Sequence, residues 1–181
     1  GDLEQKHGVV ESSDSKGFFN GVYGKIETPY QKLMRSSISN KTVPDSHRFA
    51  KQHKDTIEIL KKLMAVSDNS FRITPQQNLV EGLKKRGVTP LKPHVICPTI
   101  TSIPDDLVHY SEPRIMTVRE HARIQSFPDD FEFKGKYTTG GELRKSEVPR
   151  YTQVANAIPP IFAEQVGIVL KEVEQWRNEK S

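Results

Sequence analysis

The residues with chemically reactive side chains are scattered along this chain and form no complete catalytic set. The single cysteine, Cys97, lies in an apolar stretch without a neighbouring histidine or basic residue, which is typical of a buried, inert thiol rather than a nucleophile. Asp129 and Asp130 are adjacent, and adjacent carboxylates favour a turn over a shared substrate site. His47 and His53 have no third ligand in view, so exposed histidines are favoured over a metal pair.

The motifs of the common self-sufficient enzymes are also missing from the sequence. It contains no glycine-rich phosphate loop, no GxGxxG, no CxxC and no HExxH, so neither a nucleotide loop nor a metal site is predicted. One amide stands out: Asn156 lies among small apolar residues in RYTQVANAIPP, residues 150–160. Such an amide either lines a closed site, where it can both donate and accept hydrogen bonds, or caps the helix that follows.

The charge of the chain is concentrated in its middle third. Residues 31–94 carry 13 lysines and arginines against 5 aspartates and glutamates, while residues 1–30 and 95–181 are each slightly acidic. A basic block of this kind is the usual footprint for a phosphate backbone, although a solvated lysine-rich surface has the same composition. The candidates for phosphate contact are Arg48, Lys51, Lys54, Lys84, Lys85 and Arg86.

Composition places further limits on the class of protein. Only 34% of the residues are hydrophobic and 12 are prolines, which predicts a modest core and long loops. No apolar run is long enough to cross a membrane, and no secretory signal is present. A lone cysteine fits a reducing compartment, so we expect a cytoplasmic protein. The start Gly1-Asp2-Leu3, without a methionine, is what a fragment would show.

Two helices are predicted within the basic block. In DTIEILKKLMAV, Asp55 and Glu58 have the spacing of a capping box, and apolar residues follow at helical intervals. In TPQQNLVEGLKKRG, Thr74 suits the N-cap and Gly87 would end the helix. The basic residues 84–86 would then lie in the last turn, where they suit the helix dipole as well as they would suit DNA. Residues 1–28 show no sustained period and are predicted to be extended or loop.

The second half of the chain mixes one strand, two helices and a loop. HVICPTITSI, residues 94–103, is predicted as a strand interrupted by Pro98, and Thr117 with Glu120 predicts a capping box that opens a helix to about Gln125. FPDDFEF then predicts a turn, and residues 134–149 a mobile surface loop. The final helix begins near Pro160, and its apolar stripe is more typical of core than of a free partner surface: Phe162, Val166, Val169, Val173 and Trp176.

Two stretches of the sequence resemble conserved motifs of one enzyme family. RIMTVREHARIQSFPDDFEF, residues 114–133, resembles the ninth conserved motif of DNA (cytosine-5) methyltransferases, and RYTQVANAIPP resembles the tenth, in the same order and at the right separation. Weaker likenesses precede them: PYQKLMR at residues 29–35, VPDSHRFAKQHKDTIEILKK at 43–62, the Thr-x-Thr element of Thr99 and Thr101, and the Asp-Leu turn of residues 1–4.

The resemblance implies both a fold and a role. We expect an α+β chain: a small target-recognition region of short strands, helices and loops over residues 1–110, then residues 111–181, whose helical segment normally completes a Rossmann-like catalytic domain. The family flips a cytosine out of the duplex and methylates C5 with S-adenosylmethionine, using a Pro-Cys nucleophile. Cys97 stands in a Cys-Pro order within the recognition region, so it is not that nucleophile. The glycine-rich cofactor motif is absent as well, and the chain alone is expected to be inactive.

Residue roles follow from the resemblance position by position. Asn156 and Ala157 would line the S-adenosylmethionine pocket, although Ala155 stands where the family usually has glycine. Arg119 and Glu120 would order the recognition region against the catalytic one through a buried, hydrogen-bonded arrangement. Thr99 and Thr101 would reach the DNA, or would simply favour a strand. The partners implied are double-stranded DNA and the missing amino-terminal part, with a dimer through exposed apolar surface as a further outcome.

Two other classes of protein remain open from the sequence. The chain could be a stand-alone DNA-binding module or an inactive remnant of a methyltransferase, or an interaction domain whose basic block is incidental. If it belongs to an enzyme, that enzyme is a bacterial one from a restriction-modification setting, and the chain is either a fragment or the second subunit of a split protein.

Overall fold

The described part of this chain combines α-helices of 6 to 20 residues and strands of two or three residues with long loops. A computed structural model describes residues 1–39, 41–67, 71–77, 79–83, 87–139 and 146–180. The helices within these ranges are α1 (Pro29–Met34), α2 (Lys54–Val66), α3 (Val118–Ile124), α4 (Arg150–Asn156) and α5 (Pro160–Glu179). The strands are β1 (Val9–Glu11), β2 (Phe19–Gly21), β3 (Thr89–Pro90) and β4 (Leu107–Val108). This mixture is α+β, as the sequence predicts.

The strands of the described residues form two separate two-stranded sheets. β1 and β2 pair antiparallel, with Val9 opposite Gly21, so part of the amino-terminal segment is more regular than its sequence predicts. Residues 47–49, called the extended segment below, continue this ladder. Gly21 N donates to His47 O at 3.0 Å, and Phe49 N donates to Phe19 O at 2.9 Å. β3 and β4 pair in parallel over two residues each.

Gly21 is required by the close approach of the extended segment to β2. A Cβ atom at this position would lie 2.6 Å from the His47 ring and 2.8 Å from Phe49 Cζ, closer than carbon atoms pack. His47 and Phe49 themselves are buried. The missing side chain of Gly21 therefore makes room for two rings of the interior.

Several predicted boundaries within the first hundred residues are wrong. α2 begins at Lys54, with His53 as N-cap and no side-chain cap, so Asp55 and Glu58 form no capping box. The helix predicted from Thr74 is only a 3-10 turn, Pro75–Gln77, in which Thr74 N donates to Gln77 Oε1 at 2.6 Å. Residues 94–103 form no strand, because no other strand of the described residues pairs with them.

Among the described residues the apolar interior forms three clusters, of which one joins α3 to α4. Val118 and Ala122 of α3 pack there with Tyr151 and Val154 of α4. A second cluster packs α2 against Ile73, Val80, Val88 and Val108. The third surrounds Leu91, Ile100, Leu107 and Met116. The two predicted motifs, residues 114–133 and 150–160, thus share one core.

The long helix α5 starts as predicted but packs differently. Pro160 occupies its first position, where a missing N–H costs nothing, and Ile161 N donates to Ser126 Oγ at 3.1 Å. No residue of the helix is buried, and Phe162 and Trp176 are 62% and 58% exposed. The prediction that this stripe is core is therefore wrong for this chain. Within the described part of the chain, no helix is long and apolar enough to cross a membrane.

Candidate nucleic-acid interface

The capping box predicted at the start of α3 is confirmed. Glu120 N donates to Thr117 Oγ1 at 3.2 Å, and Thr117 N donates to Glu120 Oε2 at 2.8 Å. The Thr117 hydroxyl also lies 2.9 Å from Nδ1 of His47, whose Nε2 lies 2.8 Å from Leu3 O. Because a carbonyl only accepts, Nε2 carries a proton, and burial lowers the pKa of His47 to about 4, so the imidazole is neutral at pH 7. His47 is buried and both of its ring nitrogens have partners within the protein, so the prediction of an exposed His47 is wrong.

Glu120 forms a bidentate ion pair with Arg114, and both side chains are buried. Arg114 Nη1 and Nη2 donate to the two carboxylate oxygens at 2.8 and 2.7 Å, while Nε donates to Glu112 at 2.7 Å. Burial alone would raise the pKa of Glu120, but the Arg114 guanidinium outweighs it and holds that pKa well below its usual range. Glu120 thus ties the start of α3 to the segment before it.

Arg119 is completely buried and binds backbone on two sides. Its Nε donates to Asp45 O at 2.9 Å and its Nη1 to Pro128 O at 3.1 Å. Nη2 reaches Phe131 O at 2.5 Å and the Asp45 carboxylate at 3.1 Å. The guanidinium therefore joins the residues before the extended segment to the turn after α3. Arg119 and Glu120 are thus both hydrogen-bonded in the interior, each with a different partner.

Sequence reasoning missed a second buried ion-pair cluster at the end of α3. Arg123 donates to Asp129 at 2.9 and 2.5 Å and to Asp2 at 2.6 and 3.1 Å, and Tyr23 OH donates to Asp129 at 2.8 Å. Asp129 belongs to the predicted turn, but its carboxylate is buried rather than exposed. No spacing rule links residues 2, 23 and 129, so only the shared burial of opposite charges could have suggested the cluster.

Asn156 does not lie in the interior that its apolar neighbours suggest. It is the last residue of α4 and is exposed, and its side chain makes no hydrogen bond to the residues that the structure describes. Ala155 has ordinary helical backbone and contacts the third apolar cluster, so its methyl group is accommodated. Ala157 packs against the α3–α4 core. The Asn156 amide is therefore accessible, and its role in a cofactor pocket stays a prediction.

The two threonines predicted to contact DNA differ in environment. Thr99 is exposed. Thr101 Oγ1 donates to Asp106 at 2.6 Å and accepts from Ile103 N at 3.2 Å, which closes a turn. The nearby Cys97 is half-buried, and burial raises the pKa of its thiol to about 11, so a thiolate is scarce at neutral pH.

Arg48 and Lys51 line a groove of about 950 Å³ between the extended segment, the turn at residues 102–105 and the residues around Tyr137 and Thr152. The Arg48 guanidinium lies 3.6 Å from the Tyr137 ring centroid and 4.2 Å from that of Phe18. Of the predicted site residues that the structure describes, Arg48 and Lys51 are the two that line one cavity together. Lys84, Lys85 and Arg86 lie outside the described residues.

Comparison with known sequences identifies the family. The sequence model of the C-5 cytosine-specific DNA methylase family matches residues 10–172, which is most of the chain. The chain therefore belongs to the DNA (cytosine-5) methyltransferase family, as its ninth and tenth motifs suggest.

Individual relatives match over shorter stretches. The type II methyltransferase M.AquIB of Picosynechococcus sp. is 40% identical over 84 residues, which are 45% of this chain and 60% of that protein. The type II methyltransferase M.DdeI of Desulfomicrobium norvegicum is 42% identical over 76 residues, 41% of this chain and 18% of that protein. The chain thus covers less than two thirds of either relative.

One solved structure overlaps most of the chain. It is the crystal structure of a protein assigned as a DNA modification methyltransferase and encoded within an E. coli prophage. It covers 83% of this chain and 39% of its own, at 22% identity and a TM-score of 0.49. The family assignment rests on the sequence match and not on this overlap.

Proposed function

We propose that this chain is the target-recognition and carboxy-terminal part of a DNA cytosine-5 methyltransferase that transfers a methyl group from S-adenosylmethionine to cytosine C5 in double-stranded DNA. Residues 1–110 recognise DNA, and residues 111–181 complete the catalytic domain in the bacterial cytoplasm. The chain alone is inactive, because Cys97, its only thiol, has a raised pKa and lacks the Pro-Cys context.

The observation that carries the proposal is the uncovered helix α5 in a chain of this family. Every residue of its apolar stripe is exposed, although the helix follows the tenth motif directly. Exposed apolar stripes of this length mark interaction surfaces. In the proposal the missing amino-terminal part covers α5, and Asn156 with Ala157 then faces the cofactor pocket that this part brings.

A two-part enzyme is one arrangement compatible with the lengths of the relatives, which also include long polypeptides, since the 76 matched residues are only 18% of M.DdeI. The 84 matched residues are 60% of M.AquIB, so that protein is itself shorter than this 181-residue chain. A relative called a type II methyltransferase can therefore be a short polypeptide. A split enzyme should also have an upstream reading frame that carries the glycine-rich and Pro-Cys motifs.

The remaining roles follow the expectations from sequence. Arg119 and Glu120 are structural: Glu120 holds the start of α3 against Arg114, and Arg119 joins Asp45 to the turn after α3. DNA contact is assigned to the cations of the basic block and to two threonines: Arg48, Lys51, Lys84, Lys85, Arg86, Thr99 and Thr101. For Thr101 the internal bond to Asp106 means that a phosphate would have to share the hydroxyl.

The test is transfer of a labelled methyl group from S-adenosylmethionine to duplex DNA. We would assay this chain alone and mixed with the product of the upstream reading frame, or with the amino-terminal part of a full-length family member. Activity only in the mixture is expected. Phe162→Glu on the α5 stripe should abolish that activity, whereas Glu172→Gln on the same helix should leave it intact.

The other outcomes separate the alternatives. Salt-sensitive DNA binding without activity in any mixture would indicate a stand-alone binding module or remnant. Activity of the chain alone would overturn the assignment and return attention to Cys97. A dimer that Phe162→Glu disrupts, and that does not give way to the amino-terminal part, would mean that α5 pairs with a second copy of this chain.

A further inference from the structure

The Arg48 groove is a preformed cavity with a fixed cation in its wall. Arg48 lies opposite Asn20 in an antiparallel bridge, so its backbone is held by the β1–β2 ladder. Its guanidinium is enclosed by the rings of Tyr137 and Phe18, at 3.6 and 4.2 Å, and its Nη1 donates to Ser15 Oγ at 2.6 Å. A cation placed in this way loses little rotamer entropy when it binds a ligand.

Arg48 forms no ion pair with a carboxylate of the described residues, although Asp14 attracts its charge from a longer distance. The neighbouring Arg150 also lies over Tyr137, at 4.3 Å, but it has a carboxylate partner, Asp14, at 2.9 Å. No carboxylate among the described residues lies within 4.0 Å of the Arg48 or Lys51 nitrogens. Arg48 Nε is buried and has no hydrogen-bond acceptor among the described residues. Two cations without an ion-pair partner among the described residues, one of them partly desolvated, therefore line one groove.

The other residues of the groove are compatible with an anion. Ser102 and Thr152 contribute hydroxyl groups to its lining. Two carboxylates also line it, but Glu147 is 3.3 Å from Lys136 Nζ, and Asp105 has an interaction of its own within the protein. The aromatic faces next to Arg48 are already covered by its guanidinium, so they offer no platform on which a base could stack. A phosphate fits this lining better than an unstacked base does.

We propose that the Arg48 groove binds one backbone phosphate of the DNA strand, with Arg48 as the planar donor and Lys51 as a second charge. This inference rests on the proposed function, since it takes DNA as the substrate. It deepens that function by separating Arg48 from the other cations of the basic block. Arg48 is an oriented receptor for one phosphate, whereas exposed lysines contribute only to the general field.

The test measures binding of this chain to a labelled duplex by fluorescence anisotropy over a range of salt concentrations. Arg48→Gln should weaken binding about tenfold at low salt and lower the slope of log K against log salt by about one, as the loss of one phosphate contact requires. Arg48→Lys should keep the slope but weaken binding, because the charge remains and the planar fork is lost. Lys171→Gln, on exposed α5, is the matched control and should change neither quantity.

Two further arms identify the ligand and guard against misfolding. A duplex with a neutral methylphosphonate backbone should bind wild type and Arg48→Gln equally weakly. Inorganic phosphate at millimolar concentration should not displace the duplex from wild type more than sulfate does at equal ionic strength. Circular dichroism and thermal melting must show that each variant keeps its fold. If Arg48→Gln unfolds, the affinity of Arg48→Lys for the duplex becomes the test. A folded Arg48→Lys variant that binds with wild-type affinity overturns the proposal.

The outcomes for the two proposals are distinct. If wild type binds the duplex and Arg48→Gln binds it with the same affinity and salt slope, the groove proposal is wrong and the proposed function stands. If wild type binds no duplex at any salt concentration, DNA recognition by this chain fails, and the groove proposal fails with it. Specific displacement of the duplex by inorganic phosphate would overturn the assignment to a DNA phosphate in favour of a free anion.

Discussion

Replacing Glu120 by glutamine tests whether the buried ion pair holds the start of α3. The glutamine keeps the shape of the side chain and the oxygen that accepts from Thr117 N at 2.8 Å. It removes the negative charge that faces Arg114 at 2.7 and 2.8 Å. The substitution therefore leaves the cap in place and isolates the effect of the charge.

The magnitude follows from burial. Removing one partner of a buried ion pair costs about 3–5 kcal/mol, because the other charge remains in the interior without compensation. Arg114 keeps its bond to Glu112 at 2.7 Å, which places the expected loss at the lower end, about 3 kcal/mol. That loss is a large share of the roughly 5–15 kcal/mol that holds a typical domain together.

An exposed pair of the same length provides the control. Glu58 Oε1 lies 2.7 Å from Lys61 Nζ, but these side chains are 62% and 56% exposed. Exposed pairs contribute about 0–1 kcal/mol, so Glu58→Gln should cost less than about 0.5 kcal/mol. The two substitutions make the same chemical change at the same distance and differ in burial.

The assay is urea unfolding followed by circular dichroism, at pH 7 and at lower pH values. The pKa of Glu120 is depressed in the folded state, so its contribution is complete above the unfolded pKa of about 4.3 and is lost as pH falls towards the folded value. The difference between wild type and Glu120→Gln should therefore shrink between about pH 5 and pH 3. An equal loss for both variants at pH 7, or a Glu120→Gln difference that does not change with pH, would refute the reasoning.

Three further predictions use the same measurements or simple labelling. Gly21→Ala should lower the free energy of unfolding by about 1–3 kcal/mol in a urea titration, because the new Cβ would lie 2.6–2.8 Å from His47 and Phe49. Gly167→Ala in α5 is the control: open space surrounds this position, so the free energy of unfolding should rise by up to about 1 kcal/mol. Cys97 should react with iodoacetamide at pH 8 about 100-fold more slowly than a free thiol, as judged by mass spectrometry over time. Wild type should lose about 3 kcal/mol between pH 6.5 and pH 4 through His47, since the unfolded state binds the proton more readily, and His47→Gln should lose correspondingly less.

Features set by neighbouring residues were predictable from the sequence, and features set by distant ones were not. The Thr117–Glu120 cap was predicted correctly because the cue and its bonds lie within four residues. The start of α5 at Pro160 was predictable for the same reason. The predicted strand at residues 94–103 was wrong because a strand needs a partner, and no local pattern shows whether one is present. The bonds of Arg123 to Asp2 span 121 positions of sequence and leave no periodic trace.

The same distinction between neighbouring and distant residues applies to the candidate site. The charge pattern marked Arg48 and Lys51 as cations, and they do meet at one groove. It could not show that Tyr137, almost ninety positions later, covers the Arg48 guanidinium, or that Arg150 has a carboxylate partner while Arg48 has none. Composition counts charges, but only the fold decides which of them remain uncompensated, and that property separates a binding cation from a structural one.

Helices α4 and α5 are adjacent in sequence but differ in how much of each is buried by the described residues. α4 buries Tyr151 and Val154 against α3, so its position is fixed by residues of the same chain. Two prolines follow, at 159 and 160, and α5 then buries no residue, although it carries an apolar stripe at helical spacing. Periodicity therefore predicted the apolar face of α5 correctly but not what covers it. A helix whose apolar stripe is uncovered by the described residues gains packing energy only when something else covers it. The stripe of α5 is therefore the main support for our proposal that a further part of the enzyme packs against this helix.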